Sequence, residues 1–268
     1  MKVIRSRDNP FARQLIALAH SSRERRKQGL TVLDGIHLVR AYIEALGAPQ
    51  AIAIAESALA REEVMQLLTT IPAVTVAALA DTVMAEASAL ESPAFVMATV
   101  TTPSVRATAS DANVLVLDDL QDPGNVGSLL RSAAAAGVAE IVLSKTTAFA
   151  WSPKVLRAAQ GAHFSLNIVE GVDTLHFLQA YAGQSIALVP RSPSAKALFE
   201  IDFNRSTAIV IGNEGAGLPL SLQQATTHRV TIPMPGKMES LNAAAAGAIS
   251  LFEMVRQRGD AIATNTNK

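Results

Sequence analysis

The stretch Val114-Leu115-Val116-Leu117-Asp118-Asp119-Leu120-Gln121-Asp122-Pro123-Gly124-Asn125-Val126-Gly127-Ser128-Leu129-Leu130-Arg131 decides the fold. Four consecutive apolar residues have the length and character of a strand covered on both faces, as in a parallel sheet flanked by helices. Pro123 and Gly124 turn the chain, Asn125 is placed to cap a helix through its side-chain oxygen, and Leu129, Leu130 and Ala133 supply that helix's inward face. Arg131, in the opening turns, is expected to point back toward the carboxyl end of the strand, where open α/β sheets place their ligands. An ordinary βα unit with a surface arginine reads the same way, and the rest of the chain has to discriminate.

Working outward, 268 residues hold one large domain or two of ordinary size, and 49% hydrophobic content is enough for their cores. The absence of cysteine excludes disulfides and thiolate metal sites, and the five histidines show no ligand spacing, so no metal is expected. The segment Met1-Lys2-Val3-Ile4-Arg5-Ser6-Arg7 lacks the apolar core of a signal peptide, and no run reaches the ~20 residues of a membrane span. A cytoplasmic protein without a membrane partner is the expectation.

Net charge is zero, but its distribution is uneven. Residues 1–30 carry eight basic groups (Lys2, Arg5, Arg7, Arg13, Arg23, Arg25, Arg26, Lys27) against Asp8 and Glu24, a local balance of +6, whereas 41–100 carry seven acids against Arg61 alone. A basic amino-terminal patch can thus face phosphates even in a neutral protein, and a solvated helix face is the alternative reading.

The polar, small-residue segment 101–112 marks a linker. Before it, helices at about 10–20, 35–46, 58–69 and 79–87 alternate with strands near 30–33, 50–54, 73–76 and 94–100, a small α/β domain over 1–100. After it, strands near 113–118, 140–143, 185–189, 207–211 and 229–232 alternate with helical patterns over 113–260, which predicts a mostly parallel sheet. Residues 261–268 form a polar tail.

Two later segments have the character of the first. Thr207-Ala208-Ile209-Val210-Ile211 reads as a central strand that empties into Gly212-Asn213-Glu214-Gly215-Ala216-Gly217-Leu218-Pro219, where glycines let a backbone approach a ligand closely. Neither the dinucleotide fingerprint nor the P-loop spacing is present. Val230-Thr231-Ile232-Pro233-Met234-Pro235-Gly236-Lys237-Met238-Glu239-Ser240-Leu241-Asn242 runs through a proline-bracketed loop into a helix starting near Ser240 or Asn242. That helix is expected to turn Leu241, Ala245, Ala248, Leu251, Phe252 and Val255 to one side, with slim alanine and glycine turns suited to close packing.

In this order and at this spacing the three segments resemble the motifs of the SpoU (TrmH-like) family of RNA ribose methyltransferases. Asn125, Gly127 and Arg131 match the first motif, Ile211 to Gly215 with Gly217 and Leu218 the second, and Ile232-Pro233-Met234 with Ser240-Leu241-Asn242 the third. Ser152 to Ala162 looks like the family's connecting helix. The resemblance covers about 113–258. The amino-terminal part is similar to the family's ribosomal-protein-like substrate-binding domain through Arg7-Asp8-Asn9-Pro10, Arg23-Glu24-Arg25-Arg26-Lys27 and Leu33-Asp34-Gly35.

The resemblance implies a carboxyl-terminal trefoil-knotted, parallel-sheet methyltransferase domain behind a smaller α/β domain that binds RNA. It also implies S-adenosylmethionine as cofactor, a homodimer, and an RNA substrate, ribosomal before transfer RNA. Carried over by motif, Gly212, Asn213, Glu214, Gly215, Leu218, Ile232, Met234, Leu241 and Asn242 hold the cofactor. Arg131, Asn125, Glu214, Ser240 and Asn242 serve the reaction, and Arg5, Arg7, Arg25, Arg26, Lys27 and Arg131 contact RNA. An arginine is an awkward base because guanidinium holds its proton; gripping an RNA phosphate and stabilising the developing alkoxide suits Arg131 better. A noncatalytic RNA assembly factor on the same fold and a Rossmann-type oxidoreductase are the competing classes, and the missing dinucleotide fingerprint counts against the second.

Overall fold

The computed structural model describes residues 2–71, 74–89, 94–108 and 111–259, which form two units. The first, Met1–Ser104 with Trp151–Phe164, holds β1 (Val3–Ile4), α1 (Pro10–His20), α2 (Ser22–Gln28), β2 (Leu30–Asp34), α3 (Ile36–Leu46), β3 (Ala51–Ala55), α4 (Glu62–Thr70), β4 (Thr75–Leu79), α5 (Asp81–Ala87) and β5 (Val96–Thr101). Its sheet has the order β1-β4-β3-β5-β2, parallel at β1/β4 and β4/β3 and antiparallel at both β5 edges. Leu15, Leu18, Leu33, Ile54 and Met84 are buried in its core. The short β1 and the helix α2 carried no sequence signal strong enough to anticipate. The strand anticipated at 73–76 begins at Thr75, with residue 73 outside the described residues.

The basic cluster is not an open arm. Ser21 caps α2 by accepting the Glu24 N–H at 3.2 Å, and Gly29 ends it at φ 63°, left-handed backbone that glycine adopts without strain. Arg25 is 5% exposed and donates to the carbonyls of Leu18 at 2.6 Å and Ala19 at 3.0 Å, the free carboxyl end of α1. Its expected RNA contact is therefore corrected: Arg25 closes a helix end inside the unit. Burial lowers its pKa first, and neighbouring Arg26 adds to that.

The second unit, Val105–Ala150 with Ser165–Lys268, holds β6 (Val114–Leu117), α6 (Pro123–Ala135), β7 (Glu140–Ser144), β8 (Asn167–Val172), α8 (Thr174–Ala180), β9 (Gln184–Leu188), β10 (Lys196–Ala197), β11 (Thr207–Ile211), α9 (Leu220–Ala225), β12 (His228–Thr231) and α10 (Ala243–Gln257). Every neighbouring pair in its sheet, β10-β12-β9-β11-β6-β7-β8, is parallel. The fully buried β6 and β11 sit side by side, as their uninterrupted apolar runs require. β8 and β10 add to the five strands anticipated. Helix α7 (Pro153–Ala159), read from sequence as part of 113–260, groups with the first unit: the Thr31 hydroxyl donates to the Trp151 carbonyl at 2.9 Å, and Tyr42 meets Phe164 edge-on at 5.3 Å. The tail after Gly259 lies outside the described residues.

Two local expectations change. Asp122, not Asn125, caps α6, accepting the Asn125 N–H at 2.7 Å, because Pro123 occupies the first helical position and moves Asn125 inside the first turn. In α10 the buried residues are Gly247, Ser250, Leu251, Glu253 and Met254, while Ala245 and Phe252 are exposed, and Leu241, also exposed, lies before the helix. Small residues face inward because α10 lies very close to its neighbours. A Cβ at Gly247 would stand 2.2 Å from Leu129 Cδ2 and 2.6 Å from Ile211 Cδ1, both fully or nearly fully buried. Gly247→Ala is expected to destabilise by about 1–3 kcal/mol through overpacking, lowering the thermal midpoint by several degrees. An unchanged midpoint would mean that α10 shifts freely.

Candidate active site

The carboxyl ends of β6, β9, β11 and β12 empty into loops on one edge of the second unit's sheet, the position at which open parallel sheets bind ligands. The loop after β6 holds its shape through Asp119, whose left-handed φ of 56° is a strained conformation for a residue with a side chain. Five bonds support it: its N–H donates to Ser144 Oγ at 2.9 Å, Asn213 Nδ2 donates to its carbonyl at 2.9 Å and its carboxylate at 3.2 Å, and Gln121 Nε2 donates to Oδ1 at 2.8 Å and to its carbonyl at 3.4 Å. Sequence reasoning missed Asp119; the tolerance of Asp for left-handed backbone was its only signal.

The loop after β11 doubles back on itself. Asn213 Oδ1 accepts the N–H groups of Gly215 at 2.9 Å and Ala216 at 3.0 Å, and the Gly217 N–H returns to the Asn213 carbonyl at 2.9 Å. This brings the backbone of Gly217 and Leu218 against Gly212, where a Cβ would stand 2.6 Å from Gly217 C and from Leu218 N. The turn exists because position 212 has no side chain.

Glu214 ties the loops together. Its carboxylate accepts the Gln121 N–H at 3.1 Å, the Asp122 N–H at 3.0 Å and Asn125 Nδ2 at 3.0 Å. Asn125 Oδ1 in turn accepts Asn242 Nδ2 at 2.9 Å, and Asn242 Oδ1 caps α10 by accepting the Ala244 N–H at 2.9 Å. One chain of hydrogen bonds thus crosses all three sequence motifs. Burial pushes the Glu214 carboxyl up, but the bonds from Asn125, Gln121 and Asp122 outweigh it and hold it below the usual glutamate range. A depressed folded pKa means the clamp is intact above the ordinary glutamate pKa and is lost as pH falls through the lower folded value. Glu214→Gln keeps the size but sets an amide among three donors; ligand affinity at the cleft is expected to fall about tenfold, read by calorimetry at neutral pH.

Beside this network lies a cleft of about 490 Å³, within the range of small-molecule sites. Every one of Gly212, Asn213, Glu214, Gly215, Leu218, Ile232, Met234, Ser240, Leu241 and Asn242 lines it. Leu188, Val189 and Pro190 after β9 line it too and were not anticipated, because a strand end with one proline carries no distinctive signal. Asn125 reaches the cleft only through Glu214 and Asn242. Arg131 is not among the lining residues: it stands six residues past Asn125 on α6, about 9 Å further along the axis. It is exposed, without a hydrogen bond or ion pair among the described residues. Of the RNA-contact candidates, Arg5 pairs with Glu56 at 2.6 Å and Arg7 with Glu86 at 2.5 Å, while Arg26 and Lys27 are exposed.

Among the described lining residues Glu214 is the only charged group. Apolar walls, glycine backbone, hydroxyl and amide side chains and one acid suit a ligand with an uncharged polar body or a cationic centre, and disfavour a polyphosphate.

Residues 112–252 match the SpoU rRNA methylase family and residues 9–98 the MRM3-like substrate-binding domain. A tRNA/rRNA methyltransferase of Synechocystis, itself described as uncharacterised, is 35% identical over 95% of this chain and 94% of its own. The 23S rRNA (guanosine(2553)-2′-O)-methyltransferase RlmP of Bacillus subtilis is 31% identical over 95% of this chain and 99% of its own. Among solved structures, the SpoU methyltransferase AviRb of Streptomyces viridochromogenes in complex with AdoMet superposes with a TM-score of 0.80 at 29% identity, covering 93% of this chain and 98% of that one.

Proposed function

The chain belongs to the SpoU rRNA methylase family, and from that premise we propose that it transfers a methyl group from S-adenosylmethionine to a ribose 2′-hydroxyl of ribosomal RNA. The observation that carries the reading is the single cleft in which the second and third motifs meet, with the first motif joined to it through Glu214. A cleft lined by the backbone of Gly212, Gly215 and Gly217 and free of cations among the described residues fits an adenosine and a sulfonium. When bound, S-adenosylmethionine supplies an activated methyl group whose sulfonium loses its positive charge on transfer.

This chain's residues have separable tasks. Leu218, Ile232, Met234 and Leu241 exclude water from the reacting centre, which favours loss of charge. Gly212, Asn213 and Gly215 present backbone and amide groups at close range. Glu214, Asn125 and Asn242 hold the loops in register, and Ser240 orients substrate at the cleft. Arg131 grips an RNA phosphate and stabilises the developing alkoxide, whose proton passes to that phosphate or to water. Because it lies off the cleft of its own chain, Arg131 fits a site completed across a homodimer. The exposed Ile249 and Phe252 on α10, the helix packed on α6, support pairing there.

Insertion of β11 between β9 and β6, followed by the return of α10 onto α6, supports a trefoil-knotted path for residues 207–257. Residues 1–100, with the helix Pro153–Ala159 that groups with them, serve as the RNA-binding domain, 101–112 as linker and the rest of 113–260 as the methyltransferase domain. A ribosomal RNA substrate supports a cytoplasmic location.

Calorimetry with S-adenosylmethionine against nicotinamide nucleotides, followed by transfer of labelled methyl groups to ribosomal and transfer RNA, tests the reading. Cofactor binding without transfer to any RNA would turn the proposal into a noncatalytic assembly factor. Arg26→Glu with Lys27→Glu, both on the exposed side of α2, is expected to weaken RNA binding and reduce the salt slope by roughly 1.4 for two single-strand phosphate contacts. Unchanged binding would make them a solvated face.

A further inference from the structure

A second cleft, of about 470 Å³, lies wholly within the first unit, among the opening of α3, the start of β5 and helix α7. Asp34 borders it, 8% exposed, its carboxylate accepting the Ser88 hydroxyl at 2.5 Å and the Ala94 N–H at 3.2 Å. A carboxylate has about four acceptor positions, so two contacts leave capacity for a ligand. Phe95 lines the same cleft, and the Arg61 guanidinium lies 4.3 Å from its ring centroid. Arg157, His37, Gln160 and Glu63 also line it. Gly35 starts α3 without a side-chain cap, so first-turn N–H groups at the cleft have no side-chain acceptor.

Acceptor and donor groups therefore face one space beside an aromatic ring. A phosphate would meet the Asp34 carboxylate, and a simple cation would meet Arg157. A planar neutral group with adjacent donors and an acceptor meets neither objection. Among unpaired nucleobases only guanine sets two donors side by side, N1–H and the N2 amino group, next to the O6 acceptor. Adenine and cytosine pair one amino donor with a ring acceptor, and uracil has one donor between two carbonyls.

We propose that this cleft holds one unpaired guanine of the RNA substrate, with Asp34 accepting from N1–H and the N2 amino group, Arg157 or the α3 N–H groups donating to O6, and Phe95, backed by Arg61, packing beside the base. The inference rests on the RNA reading above and adds a specificity determinant outside the methyl-transfer cleft. It predicts that the protein selects targets that carry a splayed guanine in addition to the methylated ribose.

The test is fluorescence anisotropy of the full chain with labelled single-stranded uridine-rich oligoribonucleotides carrying one central guanosine, inosine or adenosine. Guanosine is expected to bind about tenfold tighter than inosine, which lacks the N2 amino group. Asp34→Asn is expected to erase that preference and leave S-adenosylmethionine binding unchanged. Should Asp34→Asn not fold, the guanosine-over-inosine ratio of the parent protein stands as the readout, and Arg157→Ala at the exposed rim is expected to lower guanosine binding. Equal binding of guanosine and inosine oligonucleotides, or full preference retained by folded Asp34→Asn, overturns the proposal. Guanosine monophosphate competing as well as the oligonucleotide overturns the RNA assignment in favour of a free nucleotide. Calorimetry with S-adenosylmethionine on the same preparation separates the two readings: lost guanine preference with intact cofactor binding sinks only this cleft, and absent cofactor binding sinks only the methyltransferase.

Discussion

Methyl transfer by Arg131→Ala is expected to fall about a thousandfold, roughly 4 kcal/mol of transition-state stabilisation, while affinity for S-adenosylmethionine stays within a few fold of the parent. The split follows from where Arg131 sits. It borders no part of the cleft, so removing it leaves the cofactor's surroundings intact. It is also exposed and engages no hydrogen bond or ion pair among the described residues, so its loss should not disturb folding. A cation held free of internal partners is available to a phosphate or an alkoxide. Arg131→Lys keeps the charge but not the planar fork and should recover only part of the rate. Single-turnover transfer to ribosomal RNA, measured beside cofactor calorimetry, checks both halves. Near-normal turnover in Arg131→Ala would remove the residue from the mechanism, and a large loss of cofactor affinity would mean that it shapes the cleft.

Gly212→Ala is expected to weaken S-adenosylmethionine binding at least about a hundredfold, close to 3 kcal/mol. The added methyl would stand 2.6 Å from Gly217 C and Leu218 N and 2.7 Å from the Gly217 carbonyl oxygen. All three are backbone atoms, so no rotamer change relieves the clash. The loop must open, and opening it withdraws Leu218 and the turn held by Asn213. Gly215→Ala is the contrast: its added Cβ comes no nearer than 3.6 Å to Asn213 Oδ1, an ordinary contact. If both variants bind cofactor equally, the close approach at Gly212 has no functional meaning.

The legible part of the fold was the part written in runs and glycines. Val114 to Leu117 and Thr207 to Ile211 are so evenly apolar that burial on both faces was the only consistent reading, and both are central strands. The glycines of 212–217 marked a close backbone turn for the same reason. What misled was polarity taken as exposure. Arg25 belongs to a basic cluster yet ends inside, because the free carbonyls at the end of α1 need a donor more than the guanidinium needs water. Phe252 was expected inward from the i, i+4, i+7 spacing of the apolar residues, whereas Gly247 and Ser250 are buried there: the close approach of Leu129 and Ile211 at Gly247 leaves room only for small side chains.

By itself the sequence determined the α/β class, the parallel sheet of the second unit and the loops that carry the site, since runs of apolar residues and left-handed or close-packed turns are local requirements. Which residues meet was decided only in three dimensions. Glu214 lies 93 residues from Gln121 and 89 from Asn125, and Asn125 lies 117 from Asn242, yet these four join in one hydrogen-bond chain. β11 enters the sheet beside β6, and that placement alone brings the turns together. Asp34 and Arg157 likewise share a cleft only because α7 packs with the first unit. A side chain's partners depend on the whole path of the backbone, and no local pattern encodes that path.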